Sequence, residues 1–304
     1  MKLFKNFFQE CFSKSAVIAG TFFRLFPYSG KRLFAEWWGD HTHTDITGKW
    51  ISDMAQIGYS SVSKSMETVK THFKFSDKNY NYCMTLDITQ YVQRKYFFEN
   101  YGQELAGIMF KYLKPDSVFV DIGAHVGYFS VLAAQIAING EIICFEPLPQ
   151  NYTKLVQNIN INRLKNASIN QLGLSNQSGT FTLHVDPYND GGHSFDDNWC
   201  FYSHPLPVNV VTFDEWTEKN KINRIDFIKI DVEGHELNVI QGMVESLKKF
   251  KPGIIFCEAN EISELPIINL LESHGYKHSR QIDKYPGPKH PKRGLLCDLV
   301  FHHS

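Results

Sequence analysis

From Ser117 onward the chain alternates, with no internal sequence repeat: a short apolar run, a turn, then a segment with a helical period. "SVFVD" leads into "YFSVLAAQIA", "EIICFEP" into "PQNYTKLVQNININR", "IDFIKIDVEG" into "HELNVIQGMVESLKKF", and "PGIIFCE" into "SELPIINLLESHG". "LLCDLVF" closes the series. Runs this uniformly apolar are buried on both faces. Their alternation with amphipathic segments therefore predicts a mostly parallel sheet covered by helices on each side. "ASINQLGLS" reads as a further strand, and "TFTLHV" and "VNVVTF" as two more around a long polar loop. Upstream, "HFKFSD" and "YCMTLDIT" read as two short strands. One helix is expected from about Gln90 to Leu113, closed by Lys114 and Pro115.

This organisation predicts a main domain over residues 67–304 and an N-terminal extension with a linker over residues 1–66. Residues 1–38 are rich in Phe and Trp with interspersed Lys and Arg. Their longest uncharged run, Ser15 to Phe23, is too short to span a bilayer. Packing on the main domain or on a second subunit, which would make a homo-oligomer, is the preferred reading. A basic amphipathic helix on a membrane surface is the alternative. Residues 39–66 read as a polar loop. His41, His43 and Asp45 lie there without a second cluster of matching spacing, so a solvated loop is preferred over a zinc site.

Charge excludes one class of partner. With 31 Lys and Arg against 32 Asp and Glu, nothing marks a general nucleic-acid binder. The six cysteines form no CxxC pair, and Cys144 and Cys257 fall in apolar strand runs. They are expected to be reduced core residues of a cytoplasmic protein, with peripheral membrane contact through residues 1–38 left open.

The turn "DIGAHVG" follows a predicted strand, and ligands of such sheets bind at strand carboxyl ends. Gly123 and Gly127 let the backbone turn and approach a ligand. The turn lacks the Gly-Lys-Ser/Thr of a phosphate loop, because Tyr128 and Phe129 follow Gly127. It also lacks GxGxxG, which argues against a nicotinamide oxidoreductase. Asp121 before the turn suits a cation better than a phosphate. Glu146 closes the next strand, where a carboxylate can take both ribose hydroxyls. A diol together with a cation is what S-adenosylmethionine presents.

"VFVDIGAHVGYFSVLAA", "CFEPLPQN", "LGLSNQSGTFTL", "VVTFDEW", "IDFIKIDVEGHELNVIQG" and "KPGIIFCE" together resemble the FkbM-type methyltransferases, in the family's order, over roughly residues 80–304. The resemblance implies a class I, Rossmann-like fold: a seven-stranded sheet whose last strand runs antiparallel, with helices on both faces. It implies transfer of a methyl group from S-adenosylmethionine to a hydroxyl of a sugar, glycan or related natural product. It also implies that Ala124, His125, Tyr128, Pro147, Asn151, Gly173, Leu174, Ser175 and Asp231 join Asp121, Gly123, Gly127 and Glu146 around the cofactor. Tyr101 and Glu104 in "YFFENYGQE" are similar to the family's lead-in helix and would border it.

Methyl transfer is an in-line displacement, so the enzyme must align the partners and remove the acceptor proton. Asp231 ends one strand, Glu233 and His235 follow in the same turn, and Glu258 ends the next strand. His235 is a candidate base, with Asp231 orienting it or acting as base itself. Asp231 and Glu258 are also the residues that would hold a divalent cation. Lys229 would simply pair with Asp231 or Glu258, and Glu236 would serve the helix dipole. Residues 186–205 form a long polar and aromatic loop in which Asn189, Gly192, His193 and Ser194 resemble a family stretch beside the active site. His193 rivals His235 as base, and Trp199, Phe201 and Tyr202 would stack on a sugar face. An N-methyltransferase, and a binding or scaffold protein that keeps the fold without the reaction, are the alternatives.

Overall fold

A computed structural model describes residues 68–75, 78–87, 90–97, 102–187, 189–197, 203–283 and 296–303. The expectations for residues 1–66 therefore lie outside the described residues, as do those for Tyr101, Trp199, Phe201 and Tyr202. The chain divides into two compact units. One is Met1–Thr71, Thr85–Tyr101 and Tyr188–Asp190, and the other is His72–Met84, Gly102–Pro187 and Gly191–Ser304.

In the first unit, α1 (Tyr91–Phe97) is tied down by a residue of the long loop. Asp190 accepts hydrogen bonds from the Val92 amide at 2.8 Å and from Gln93 Nε2 at 2.9 Å.

The second unit is built on a seven-stranded sheet. Its strands are β3 (Val118–Ile122), β4 (Glu141–Phe145), β5 (Ala167–Asn170), β9 (Phe227–Ile230), β10 (Ile254–Asn260), β11 (Tyr276–Asp283) and β12 (Leu296–His303). The order is β11-β12-β10-β9-β3-β4-β5. β12 runs antiparallel to both its neighbours, and the pairs from β10 to β5 are parallel. The expected sheet, reversed in its last strand only, is the one observed. The order turns back between β3 and β9, which makes their carboxyl ends the switch point where a ligand crevice opens.

Helices follow in chain order: α2 (Gln103–Tyr112), α3 (Tyr128–Ile136), α4 (Pro149–Ile161), α5 (Phe213–Lys219), α6 (Glu236–Gln241), α7 (Val244–Phe250) and α8 (Glu264–Ser273). Val120, Ile122, Ile143, Ile228, Ile230 and Ile255 face one way, into a core completed by Phe213 and Trp216 of α5, Val239 and Ile240 of α6, Leu247 of α7 and Ile267 and Leu271 of α8. Because strand side chains alternate, Phe119, Asp121, Phe227 and Lys229 take the other face, under α3. The same two-residue period puts Asp231 and Glu258, which follow in register, on that polar-bearing face.

A two-stranded sheet of β1 (Thr68–Phe75) and β2 (Lys78–Thr85) confirms the two upstream strands. Asn162, the last residue of the α4 turn, clamps the backbone of Cys83 at both its amide (2.8 Å) and its carbonyl (2.6 Å). A three-stranded sheet has the order β6-β8-β7, from β6 (Gly173–Leu174), β7 (Gly179–Val185) and β8 (His204–Val211). Cys144 and Cys257 are buried free thiols, as expected of core cysteines.

Four boundaries differ from expectation. The helix expected from Gln90 to Leu113 is two helices, because Gly102 stands at the head of α2 with a left-handed φ of 69°. "ASINQLGLS" is two strands in different sheets, β5 and β6, since the chain leaves the large sheet after Asn170. The helix expected over residues 235–250 breaks at Gly242, which packs so closely that a Cβ there would lie 2.0 Å from the Ser175 carbonyl oxygen. β11, the edge strand, was not expected, because its polar sequence carries no apolar run. No helix among the described residues is long and apolar enough to cross a membrane.

Candidate active site

The glycine turn leaves β3 after Ile122 and enters α3 at Gly127. Gly123 (φ 76°) has no alternative to glycine: a Cβ there would lie 1.9 Å from the Asp231 carbonyl oxygen. The close approach welds the turn to the end of β9. Gly123 and Ala124 donate their amides to the Phe145 carbonyl, each at 3.0 Å, so the turn is also fixed to β4.

Glu146, at the end of β4, is buried and faces this turn. Its Oε2 accepts from the His125 amide at 2.8 Å and its Oε1 from the Leu148 amide at 3.0 Å. Burial pushes its pKa up, while His125 and the two N–H donors pull against that rise. Each oxygen has spent one acceptor position and keeps another, which leaves a rigid carboxylate able to take a vicinal diol. Asn151 and Tyr128, both buried, lie on the helices that follow the two turns, and Tyr128 packs edge-on against Tyr82.

Asp121 is the residue the structure treats most differently from expectation. It was expected to meet the cationic end of the cofactor, directly or through water. Its Oδ2 accepts from Ser130 Oγ at 2.6 Å, and its Oδ1 pairs with Lys229 Nζ at 3.1 Å. Lys229 also donates to the Gly123 carbonyl at 3.0 Å and lies 3.9 Å from Asp231 Oδ2. The lysine was expected to pair with Asp231 or Glu258; its short ion pair is with Asp121. Asp121 and Lys229 are register partners across β3 and β9, so the pairing follows from the ladder itself.

Beyond Lys229 the carboxylates gather. One carboxylate oxygen each from Asp231, Glu233 and Glu258 lies within 4.8 Å of the other two. Glu233 reaches in from a left-handed backbone (φ 55°), a strained conformation for a non-glycine residue and one found at functional turns. The expected convergence of three acids is therefore present. Glu233 belongs to it as fully as Asp231 and Glu258, and the trio is also a donor set suited to a divalent cation.

The expected histidine is not aimed at this trio. His235 Nε2 lies 2.8 Å from Ser175 Oγ, and its ring sits edge-on to Phe195 and Phe181. Burial pushes its pKa down to about 4, against the opposing charge of Asp196. A base that weak is poorly matched to proton abstraction near neutral pH. His193 is engaged too: its Nδ1 accepts from the Asp186 amide at 3.0 Å, which leaves its proton on Nε2. The loop around it does reach the acids, since Ser194 Oγ donates to the Glu233 carbonyl at 2.7 Å. Gly173, Leu174 and Ser175 lie on or beside β6, and Ser175 joins the assembly through His235. Glu104 spends its carboxylate on Arg280 at the surface, at 2.7 Å, and not on any residue of the glycine turn.

A sheet reversed only in its last strand, with a glycine turn after β3 and a buried acid closing β4, defines a class I methyltransferase fold. Residues 121–278, just over half of the chain, match the methyltransferase FkbM domain, and the chain belongs to that family. It is 26% identical over 148 residues to the hexuronic acid methyltransferase AglP of Haloferax volcanii, covering 48% of this chain and 58% of that protein. It is 27% identical over 153 residues to the 2-O-methyltransferase NoeI of Sinorhizobium fredii, covering 45% and 61%. The chain thus spans about three-fifths of the length of these curated relatives. A solved structure of methyltransferase FkbM from Methylobacillus flagellatus aligns at 16% identity with a TM-score of 0.43, over 68% of this chain and 54% of that one.

Proposed function

We propose that the chain is an S-adenosylmethionine-dependent O-methyltransferase whose acceptor is a hydroxyl of a sugar, with a hexuronic acid residue the first class to test. The observation that carries this reading is the pairing of a braced, diol-ready Glu146 with the convergent carboxylates of Asp231, Glu233 and Glu258 across one switch point. Family membership and the sugar-directed names of two relatives support it.

S-adenosylmethionine supplies an electrophilic methyl group on a sulfonium and leaves as a neutral thioether. Glu146 would hold the ribose diol of the cofactor, and the glycines of the Gly123–Gly127 turn would let the backbone approach it. Asp231, with a side chain 15% exposed, accepts the hydroxyl proton as the new C–O bond forms. Glu233 and Glu258 orient the acceptor by accepting from neighbouring hydroxyls. Lys229 Nζ, 3.9 Å from Asp231 Oδ2, sets a positive charge beside that acid.

The test is calorimetric titration with S-adenosylmethionine, followed by turnover of labelled cofactor with methyl glycosides of hexuronic acids. Wild-type protein binds the cofactor, and Glu146→Ala weakens binding by about 1–3 kcal/mol, the cost of losing charged hydrogen bonds. The sugar gains one methyl group. Binding of NADH in preference would overturn the reading, and binding without methylation of any glycoside would move the acceptor to another class. A chelator separates the two roles of the acid trio: turnover that disappears and returns with Mg2+ assigns it to a cation, and unaffected turnover assigns it to proton transfer.

A further inference from the structure

Glu236 belongs to the family motif region but has no part in the site as so far described. Its usual reading, an acid complementing a helix N-terminus, does not account for its contacts. Its Oε1 accepts from the Val232 amide at 3.0 Å and from the Gly234 amide at 3.0 Å. Those amides flank Glu233, whose left-handed backbone needs an outside restraint to persist. The side chain is 1% exposed and its Oε2 has no hydrogen-bond partner. A buried carboxyl with one oxygen doubly engaged and one idle is costly to keep unless the engaged oxygen matters.

The turn from Asp231 to Gly234 is held at three further points: the Asp231 amide donates to the Ile122 carbonyl at 3.1 Å, Ser194 bonds the Glu233 carbonyl, and Gly123 packs on the Asp231 carbonyl. Those contacts fix the ends and the outer edge of the turn. Among the described residues, Glu236 alone grips the amides on both sides of Glu233.

We infer that Glu236 is a positioning residue: its carboxyl clips the Val232–Gly234 turn so that Glu233 meets Asp231 and Glu258. For its catalytic consequence the inference rests on the methyl-transfer reading; for the geometry it does not. Burial, with the charge of Asp231 adding to it, pushes the Glu236 pKa up to about 7, so the clip exists in ionised and protonated forms near neutrality. The titratable groups that interact with it are Asp231 after β9 and Cys257 on β10. Either form keeps Oε1 as an acceptor, so glutamine reproduces the clip and alanine abolishes it.

The experiment compares wild type, Glu236→Gln and Glu236→Ala in the full chain. Amide hydrogen exchange reads the turn directly: the Val232 and Gly234 amides exchange about tenfold faster or more in the alanine variant and within about threefold of wild type in the glutamine variant. In wild type the same two amide resonances shift with pH around a midpoint near 7, and that shift is absent in Glu236→Gln. If alanine prevents folding, the titration and the glutamine variant still decide. Equal exchange in wild type and alanine, or a glutamine variant as loose as alanine, overturns the inference. With methyl hexuronosides as probe, kcat falls about tenfold in Glu236→Ala while KM for S-adenosylmethionine stays within about threefold; parallel loss of both would assign Glu236 to folding alone. A wild type that neither binds the cofactor nor methylates sinks the methyl-transfer reading and leaves the exchange result standing.

Discussion

Asp121 and Asp231 end neighbouring parallel strands on the same face of the sheet, and they lead opposite lives. Asp121 is sealed in, with one oxygen on Ser130 and the other on Lys229. Asp231 keeps part of its side chain in solvent and shares a small space with two other carboxylates. Burying a charge costs several kcal/mol unless it is paired, so the first acid is spent on holding the strands in place. Crowding three acids raises the energy of the second region, which is why the proposed function places the chemistry there. One lysine mediates between them, 3.1 Å from the sealed acid and 3.9 Å from the open one. The contrast separates a sealed acid from a partly solvated one within a single pair of strands.

The sharpest way to break this contrast is to remove the mediator. Lys229→Met leaves a buried, unpaired Asp121, and the expected loss is about 3–5 kcal/mol of unfolding free energy, measured by denaturant titration. If the variant is as stable as wild type, Asp121 is not the structural partner described. The double variant with Asp121→Asn, which removes the orphaned charge, is expected to recover a large part of the loss. Asp231→Asn is the counterpart. It should leave stability within about 1 kcal/mol, because the acid is partly solvated, and lower kcat by about 100-fold as the lower bound for losing a general base. Full turnover in that variant would hand the proton to Glu233, Glu258 or a cation.

The same contrast shows what could be read in advance and what could not. The sheet was legible because β3, β4, β9 and β10 are buried on both faces and read as short, mostly apolar runs. β11 was not, since an edge strand pairs on one side only and "YKHSRQID" keeps most of its side chains in water. Glu146 and the acid trio were legible as acids at strand ends. The partner of Lys229 was not, because it depends on the register of two strands distant in sequence, and an alternating pattern shows a face without showing which residue stands opposite. The helix break at Gly242 came from close backbone packing and the start of α2 at Gly102 from a left-handed φ, for both of which a glycine in the sequence is at most a hint.

His235 tests the boundary between the two regions most finely. Its sequence position made it a candidate base; its surroundings, Ser175 Oγ and two phenylalanine rings, make it a neutral strut. With a folded pKa of about 4, below an unfolded value near 6.5, the unfolded chain binds more protons anywhere between those limits. Stability therefore declines as pH falls through that window, by the slope of one proton at most. His235→Asn removes that slope and costs about 1 kcal/mol at neutral pH, the worth of the Ser175 contact. Its kcat at pH 8 is expected to stay within about threefold of wild type, far from the loss expected of a missing base. An activity lost outright in a variant that still binds S-adenosylmethionine would return His235 to the reacting group and move the proton from the acids to the ring, since a strut can loosen a site without emptying it.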